Sequence, residues 1–445
     1  MTEHLTDLEI ADYIDDPELC ARAAEIEAHL AQCATCREAV ETAQRFEATI
    51  DAELMADLIA ARQPAVLPPG LLSLAEHIDD EEREASNYLR GIVMIPRAFK
   101  WAAISEKPEL YTAGVVRVLC AAALKLRERS PKHSLTVADE AASIAEMLSP
   151  QRYDETTRAE ARAEAQLERA NALRYLGRFE EALEALDTCE AAYRSVPLAE
   201  RPLAIVNYVR SVIYMKSERL DEAMQLASES MRIFRSYGDQ PRAAHAQMVI
   251  GGCLFYRREY ALARDLYRHL IPVARAINEP ATEALCLMNL AHAECELGEF
   301  AISLLHYSDA VDRYEQLGLR TEVLRARWGA ADLVALMGNL TSAIAQLRET
   351  AAAMLDLGLV NDHALVILDA VSKLFAIGNL SELPGICAKL VQVFAVAKMP
   401  ENARTAMAYL EAVVRTGALT KPVIDGVTEY IEREDYAEAF VPPPA

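Results

Sequence analysis

The sequence predicts an all-α protein in which a small amino-terminal module precedes a stack of helical hairpins. Two observations support this prediction. The 445 residues include only 16 glycines and 19 prolines, and Ala, Leu, Glu and Arg, which favour helices, are abundant. From about residue 158 the chain also repeats itself with a period of about 40 residues, which is typical of α-solenoids.

Helix-breaking residues predict how the chain is divided. The clearest boundary is Gln-Pro-Ala-Val-Leu-Pro-Pro-Gly at 63–70, because proline and glycine in this density end a helix. We expect five segments: an amino-terminal module at 1–60, a linker at 61–70, irregular leading helices at 71–157, a solenoid at 158–436 and a disordered, proline-rich tail at 437–445.

Three series of residues define the repeat. Bulky apolar residues recur at steps of 41, 40, 40, 40 and 40 and should begin the second helix of each unit: Phe179, Leu220, Tyr260, Phe300, Leu340 and Leu380. Small residues follow three positions later: Ala182, Ala223, Ala263, Ser303 and Ala343. Residues that tolerate a left-handed backbone after a helix recur at the end of the unit: Gly238, Asn278, Gly318 and Gly358. The pattern predicts six clear units and a degenerate seventh.

The sequences of two units are similar to that of a known repeat. Leu-Gly-Arg-Phe-Glu-Glu-Ala-Leu at 176–183 resembles the tetratricopeptide repeat (TPR), and so does Leu-Gly-Glu-Phe-Ala-Ile-Ser-Leu at 297–304. The resemblance implies a right-handed α-solenoid. The usual unit has about 34 residues, so a period of about 40 implies lengthened helices.

One apolar row recurs within the first helix of successive units. Tyr208, Met248, Met288 and Trp328 follow one another at steps of 40. The row has two interpretations. It packs between repeats as part of the core, or it lines a groove that holds a peptide or helix of a partner.

The most specific motif is H-x3-C-x2-C at His29, Cys33 and Cys36. In a helix, positions 29 and 33 share one face, and a short bend would bring Cys36 beside them. Two thiolates and an imidazole are ligands that Zn²⁺ prefers, and a structural site needs a fourth. The upstream candidates are His4 and Cys20. A module of this size buries little core by itself, so bound metal would stabilise its fold.

The residues around the motif resemble the zinc-containing anti-sigma family over roughly 3–45, about a tenth of the chain. Tyr-Ile-Asp-Asp at 13–16 matches the family's first turn, and Ile-Glu-Ala-His-Leu at 26–30 matches the approach to the cysteines. The resemblance implies that His4 is the fourth ligand. Cys20 then stands where the family usually has a Ser or Thr that caps the second helix.

A second amphipathic pattern follows the motif. Apolar residues recur at helical spacing through Val40, Phe46, Ile50, Leu54 and Leu58. This helix either packs on its own protein or lies along a partner, as the corresponding helix does in the anti-sigma family.

The net charge and the absence of known motifs argue against several classes of function. A net charge of −23 argues against direct nucleic-acid binding, which needs a basic face. No signal peptide and no apolar run of about 20 residues is present, so we expect a cytoplasmic protein without a membrane segment. We find no phosphate-binding, dinucleotide-binding, zinc-protease or hydrolase motif, so we expect no enzyme.

These observations predict a cytoplasmic, non-enzymatic regulator that binds a protein. By resemblance, the zinc module would bind an alternative sigma factor, and the repeats would serve as a sensor or partner platform. The alternative is a TPR scaffold of a signalling or assembly complex, in which the zinc module has a purely structural role.

Overall fold

The computed structural model describes residues 22–34, 36, 37, 40, 80–86, 107–127, 130–432 and 439–443. Over these residues the regular secondary structure is helical and no strand is present. The chain forms two compact units, Met1–Ile213 and Tyr214–Ala445. The described structure therefore confirms the predicted all-α class. The predicted linker at 61–70 and most of the module at 1–60 lie outside the described residues.

Six of the described helices begin in the first unit. They are α1 (Ala23–Leu30), α2 (Ala113–Leu126), α3 (Pro131–Glu146), α4 (Glu155–Tyr175), α5 (Phe179–Tyr193) and α6 (Glu200–Lys216), which ends in the second unit. The regular structure described there also includes helical residues at 34, 36, 37 and 40, a helical segment at 80–86 and a short 3-10 turn at Pro108–Leu110.

Eleven further helices are described in the second unit. They are α7 (Leu220–Ser236), α8 (Gln240–Tyr256), α9 (Tyr260–Ala276), α10 (Pro280–Glu296), α11 (Phe300–Gln316), α12 (Arg320–Leu336), α13 (Leu340–Asp356), α14 (Val360–Ala376), α15 (Leu383–Val396), α16 (Glu401–Arg415) and α17 (Lys421–Glu432).

The repeat has a simple length rule. From α6 to α14 every helix has 17 residues and begins 20 residues after the previous one. A hairpin of two such helices and two three-residue turns accounts for the period of 40. The extra length relative to the usual unit therefore lies in the helices, as predicted.

The predicted helix starts agree with the structure in five units and differ in the sixth. Phe179, Leu220, Tyr260, Phe300 and Leu340 each begin a helix. Leu380 does not: it is 52% exposed, and α15 begins at Leu383. Pro384 explains the shift, since proline lacks the backbone N–H and is tolerated only in the first turn of a helix.

The turns use the left-handed backbone that the sequence predicts. Gly238, Gly318 and Gly358 have φ of 72°, 68° and 74°, and Asn278 has φ of 56°. Arg258 adopts the same conformation, with φ of 62°, although it carries a Cβ. Its N–H donates to the carbonyl of Phe255, so it closes α8 in the way that glycine closes the other helices.

Small residues bring paired helices close together. The five that follow the helix starts are fully buried: Ala182, Ala223, Ala263, Ser303 and Ala343. Gly251 allows a close approach, since a Cβ built there would lie 2.7 Å from the ring of Tyr267. Gly329 has the same relation to Tyr307, at 2.6 Å. Each glycine thus leaves the space that a buried tyrosine ring occupies.

A buried carboxylate fixes the segment 80–86 against the first hairpin. Glu81 is 4% exposed and accepts hydrogen bonds from the Tyr153 hydroxyl and the Arg152 guanidinium, both at 2.7 Å. The backbone N–H of Gly114, in the first turn of α2, donates to the same carboxylate at 3.2 Å. A Cβ at Gly114 would lie 2.6 Å from the Glu81 backbone, so this contact also depends on glycine.

The carboxyl-terminal tail differs from the disorder predicted for 437–445. Phe440 is 9% exposed and packs edge-on against the ring of Tyr430, with 5.1 Å between ring centroids. Its ring also lies 5.5 Å from that of Tyr409, and Pro443 lies against Gly426. A single aromatic anchor places residues 439–443 on α16 and α17, despite the flanking prolines.

Replacing Gly251 with Ala should lower the free energy of unfolding by about 1–3 kcal/mol, because the new methyl group collides with the buried ring of Tyr267. The loss occurs even though Ala favours helices by about 1 kcal/mol over Gly. Urea denaturation of the full chain, followed by circular dichroism, measures the change.

Gly385 provides the matched control. It lies within α15, and a Cβ built there meets nothing within 4 Å. Gly385→Ala should therefore raise stability by up to about 1 kcal/mol. Equal effects of the two substitutions would contradict the role assigned to the Gly251 contact.

Candidate metal centre and partner-binding row

The structure brings three of the four predicted metal ligands together. The donor atoms of His29, Cys33 and Cys36 all lie within 4.8 Å of one another, and His29 Nε2 is 3.2 Å from Cys36 Sγ. Cys36 is 2% exposed, whereas His29 and Cys33 are half-buried. His4 and Cys20, the candidates for the fourth ligand, lie outside the described residues.

Backbone hydrogen bonds explain how the spacing converges. Helix α1 ends at Leu30, but the N–H of Cys33 still donates to the carbonyl of His29 at 2.8 Å. This bond keeps the i, i+4 geometry that places positions 29 and 33 on one face. The chain then turns into a second helical segment, where the Arg37 side chain donates to the carbonyl of Leu30 at 2.8 Å. The turn carries Cys36 back against the other two residues.

The donor set fits a zinc ion. Ligands of tetrahedral zinc lie about 3.5–3.8 Å from one another, given Zn–S of about 2.3 Å and Zn–N of about 2.0–2.1 Å. The distance of 3.2 Å between His29 Nε2 and Cys36 Sγ is slightly shorter, so a small outward movement would admit the ion. These three residues would hold the metal, and a fourth donor would close the tetrahedron.

The apolar row lies partly in the core and partly at the surface. Tyr208, Met248, Met288 and Trp328 are all half-buried. Each packs on one side against a cluster of buried residues, such as Leu324, Ala331 and Leu347 beside Trp328. The packed parts of these side chains agree with the core interpretation, and the groove interpretation stays a prediction.

Charged residues next to Trp328 form a group that the sequence analysis did not identify. The Trp328 indole N–H donates to Asp369 Oδ2 at 3.1 Å. The Lys373 ammonium lies 2.6 Å from Asp332 and also contacts Asp369. Trp328 and Asp369 are 41 residues apart, and so are Asp332 and Lys373. This separation is about one repeat, so the repeat period is the signal that could have paired them.

Three histidines of the solenoid contact residues of neighbouring helices. His363 bonds to the carbonyl of Ala351 at 2.7 Å, and His245 Nε2 lies 3.0 Å from the Thr282 hydroxyl. His306 Nδ1 lies 2.6 Å from Glu294, which is fully buried and also pairs with Arg268. These contacts join neighbouring helices, which is a structural role.

Among the described histidines, the shift in pKa is clearest at His292. Its ring lies between Phe255 and Tyr307, with centroid distances of 6.4 and 5.3 Å. Burial lowers the pKa of His292 to about 4 from its ordinary value of 6.5. The neutral imidazole is therefore the form that the folded chain accommodates.

Within the described ranges, no helix combines the length and the apolar character that are needed to cross a bilayer.

Metal analysis of the full-length protein, purified without added metal under reducing conditions, should find about one zinc ion per chain. Cys33→Ser and Cys36→Ser should each abolish binding, since each removes a thiolate from the cluster. Cys295→Ser, at a half-buried cysteine in α10, is the matched control and should retain the metal. Loss of zinc in His4→Ala but not in Cys20→Ala would identify the fourth ligand. A wild-type protein free of zinc would contradict the prediction.

The free energy of unfolding should decrease as the pH is lowered, because His292 becomes protonated. Its folded pKa lies below the unfolded value, so its contribution is complete above about pH 6.5 and is lost towards pH 4. Relative to His292→Gln, the wild type should lose up to about 1.4 kcal/mol per pH unit in this window. Urea titrations at pH 7, 6, 5 and about 4.5 measure the difference.

His269→Gln is the control for this pH dependence, because His269 is exposed on α9. It should follow the wild-type pH profile. Identical profiles for His292→Gln and the wild type would show that the His292 site accommodates the charged imidazole.

A comparison with protein families identifies the type of repeat. A family model described as tetratricopeptide repeat matches residues 167–233. The match does not include the amino-terminal module. No curated protein matches the chain by sequence.

Solved structures of similar fold are helical repeat proteins. The crystal structure of a Rap protein complexed with competence and sporulation factor has a TM-score of 0.51 and 13% identity, and covers 81% of this chain and 99% of its own. The apo quorum sensor NprR from B. thuringiensis has a TM-score of 0.47 and 14% identity, and covers 77% and 99%. A signal-transduction ATPase with a tetratricopeptide-repeat sensor, from Pyrococcus horikoshii, has a TM-score of 0.48 and 14% identity, and covers 95% and 72%. Together with the family match, the similarity to the Rap protein supports a solenoid of TPR type, and no enzyme family is indicated.

Proposed function

We propose that this protein is a non-enzymatic regulator that binds a protein partner through its amino-terminal module, and that the solenoid controls this binding. The convergence of His29, Cys33 and Cys36 within 4.8 Å is the observation that carries the proposal. Zinc at this cluster would fold a module that is too small to bury a sufficient core. The metal has a structural role and takes part in no reaction.

The partner that we propose is an alternative sigma factor. This choice rests on the resemblance of residues 3–45 to the zinc-containing anti-sigma family, which bind sigma factors. Charge supports it as well. Between Glu3 and Glu27 the chain has nine acidic residues and one basic residue, Arg22. Such an excess of negative charge would attract a basic partner and speed their encounter.

The solenoid would receive the signal. A TPR stack presents a row of first helices on which a peptide or helix can lie, and the similar Rap protein is described in complex with competence and sporulation factor. In this chain the row contains Tyr208, Met248, Met288 and Trp328, whose side chains remain partly exposed. We propose that a ligand bound there changes the affinity of the amino-terminal module for its partner.

A scaffold is the second candidate function. The family match covers repeat residues and not the module, which favours a protein whose main task is to hold components of a signalling or assembly complex. In that case the zinc module would only cap or connect the repeats. The two candidates differ in whether a sigma factor binds and whether the module is needed.

Co-purification tests the proposal. Tagged full-length protein, expressed in its own host, should retain a sigma factor that mass spectrometry identifies, and recombinant sigma factor should bind in a gel-filtration assay. Cys33→Ser with Cys36→Ser should abolish this binding, whereas Cys295→Ser should not. Binding of other proteins without any sigma factor, unaffected by loss of the two thiolates, would favour the scaffold and reject the anti-sigma role.

A further inference from the structure

We propose that the row of Met248, Met288 and Trp328 binds an apolar peptide segment that carries one basic side chain, and that Asp332 and Asp369 receive that side chain. The inference rests on the proposed sensing role of the solenoid and specifies the chemistry of its ligand. All five residues belong to the second compact unit.

The apolar part of the site is a regular surface. Met248, Met288 and Trp328 occupy the same position of α8, α10 and α12, the first helices of three consecutive hairpins. Each keeps part of its side chain exposed beyond the part that packs in the core. Neighbouring helices pack roughly 8–10 Å apart, so three of them span roughly 20 Å, which an extended peptide of about six or seven residues would cover.

The charged part of the site has an excess of negative charge. Asp332 and Asp369 share one cation, the ammonium of Lys373. Two nearby basic residues already have acidic partners: Arg325 pairs with Asp362, and Arg327 with Glu315. When both carboxylates are ionised, the single ammonium leaves a net charge of −1 beside Trp328.

The pKa of Asp332 reflects the excess of carboxylates over ammonium groups. Burial, together with the adjacent Asp369, raises the pKa of Asp332 to about 7, against the opposing effect of Lys373. Lys373 thus compensates the charge of Asp332 only in part, and a second cation beside Asp332 would favour its ionised form. A bound guanidinium or ammonium would therefore be stabilised by both charge and hydrogen bonding.

Trp328 joins the two parts of the site. Its N–H is held by Asp369, so the orientation of the indole is fixed beside the carboxylates. A guanidinium can bond to a carboxylate and stack on an indole at the same time. The same negative charge would repel a phosphate, and an inorganic cation would gain nothing from the methionines. An apolar peptide with an arginine or lysine uses all of these features.

Selection from a random peptide library tests the inference. A displayed heptapeptide library, selected on immobilised full-length protein, should enrich sequences with apolar residues and at least one arginine or lysine. The best peptide is then synthesised in two forms, one with arginine and one with citrulline, which has nearly the same shape without the charge. Calorimetry should show at least about tenfold weaker binding of the citrulline peptide, or about 1.4 kcal/mol.

Protein variants locate the contact. Asp332→Asn with Asp369→Asn should weaken binding of the arginine peptide to the level of the citrulline peptide. Asp309→Asn with Asp312→Asn makes the same change of charge at exposed positions of α11 and should leave the affinity unchanged. The peptide pair decides the question even if the first double variant fails to fold.

Several results would overturn the inference. They are enrichment of acidic or purely apolar sequences, no enrichment at all, and equal affinities for the arginine and citrulline peptides. Sigma-factor capture is measured separately and depends on the amino-terminal module. Retained capture with no basic peptide selected would reject this inference and leave the proposed function intact.

Discussion

The described helical hairpins each have an apolar face that one hairpin cannot cover by itself, and within each compact unit neighbouring hairpins cover these faces by stacking. Close approach is the condition for this stacking. The small residues near the start of the second helices are fully buried, and Gly251 and Gly329 leave the space for the rings of Tyr267 and Tyr307. Uniform helix and turn lengths keep these contacts in register from one hairpin to the next.

Two of the carboxylates that are buried in the described helices have partners on neighbouring elements. Glu294 is fully buried and joins α9, α10 and α11 through Arg268 and His306. Glu81 joins the segment 80–86 to the first hairpin in the same manner. A buried charge is costly unless it is paired and hydrogen-bonded, so these groups accept only one arrangement of the helices. They contribute specificity of packing in addition to stability.

The metal cluster and the partner row rest on different physics. His29, Cys33 and Cys36 converge through local backbone geometry, because only seven residues separate the first from the last. The row that ends at Trp328 is assembled by stacking, from helices about 40 residues apart in sequence. The metal cluster therefore needs only the local turn that follows α1. A stacked surface of the second kind exists only while neighbouring hairpins stay packed.

The sequence alone determined the features that depend on local chemistry. Helix propensity, the period near 40 and the left-handed turn residues predicted the all-α solenoid and five of six helix starts, and the spacing of His29, Cys33 and Cys36 predicted their convergence. Tertiary structure decided the contacts between residues that are distant in sequence. Among these are the bonds of Glu81 to Gly114 and Tyr153, the packing of Phe440 on Tyr430, and the pairing of Trp328 with Asp369. Such contacts depend on how the hairpins stack, and a pattern read along one chain carries no information on that geometry beyond its period.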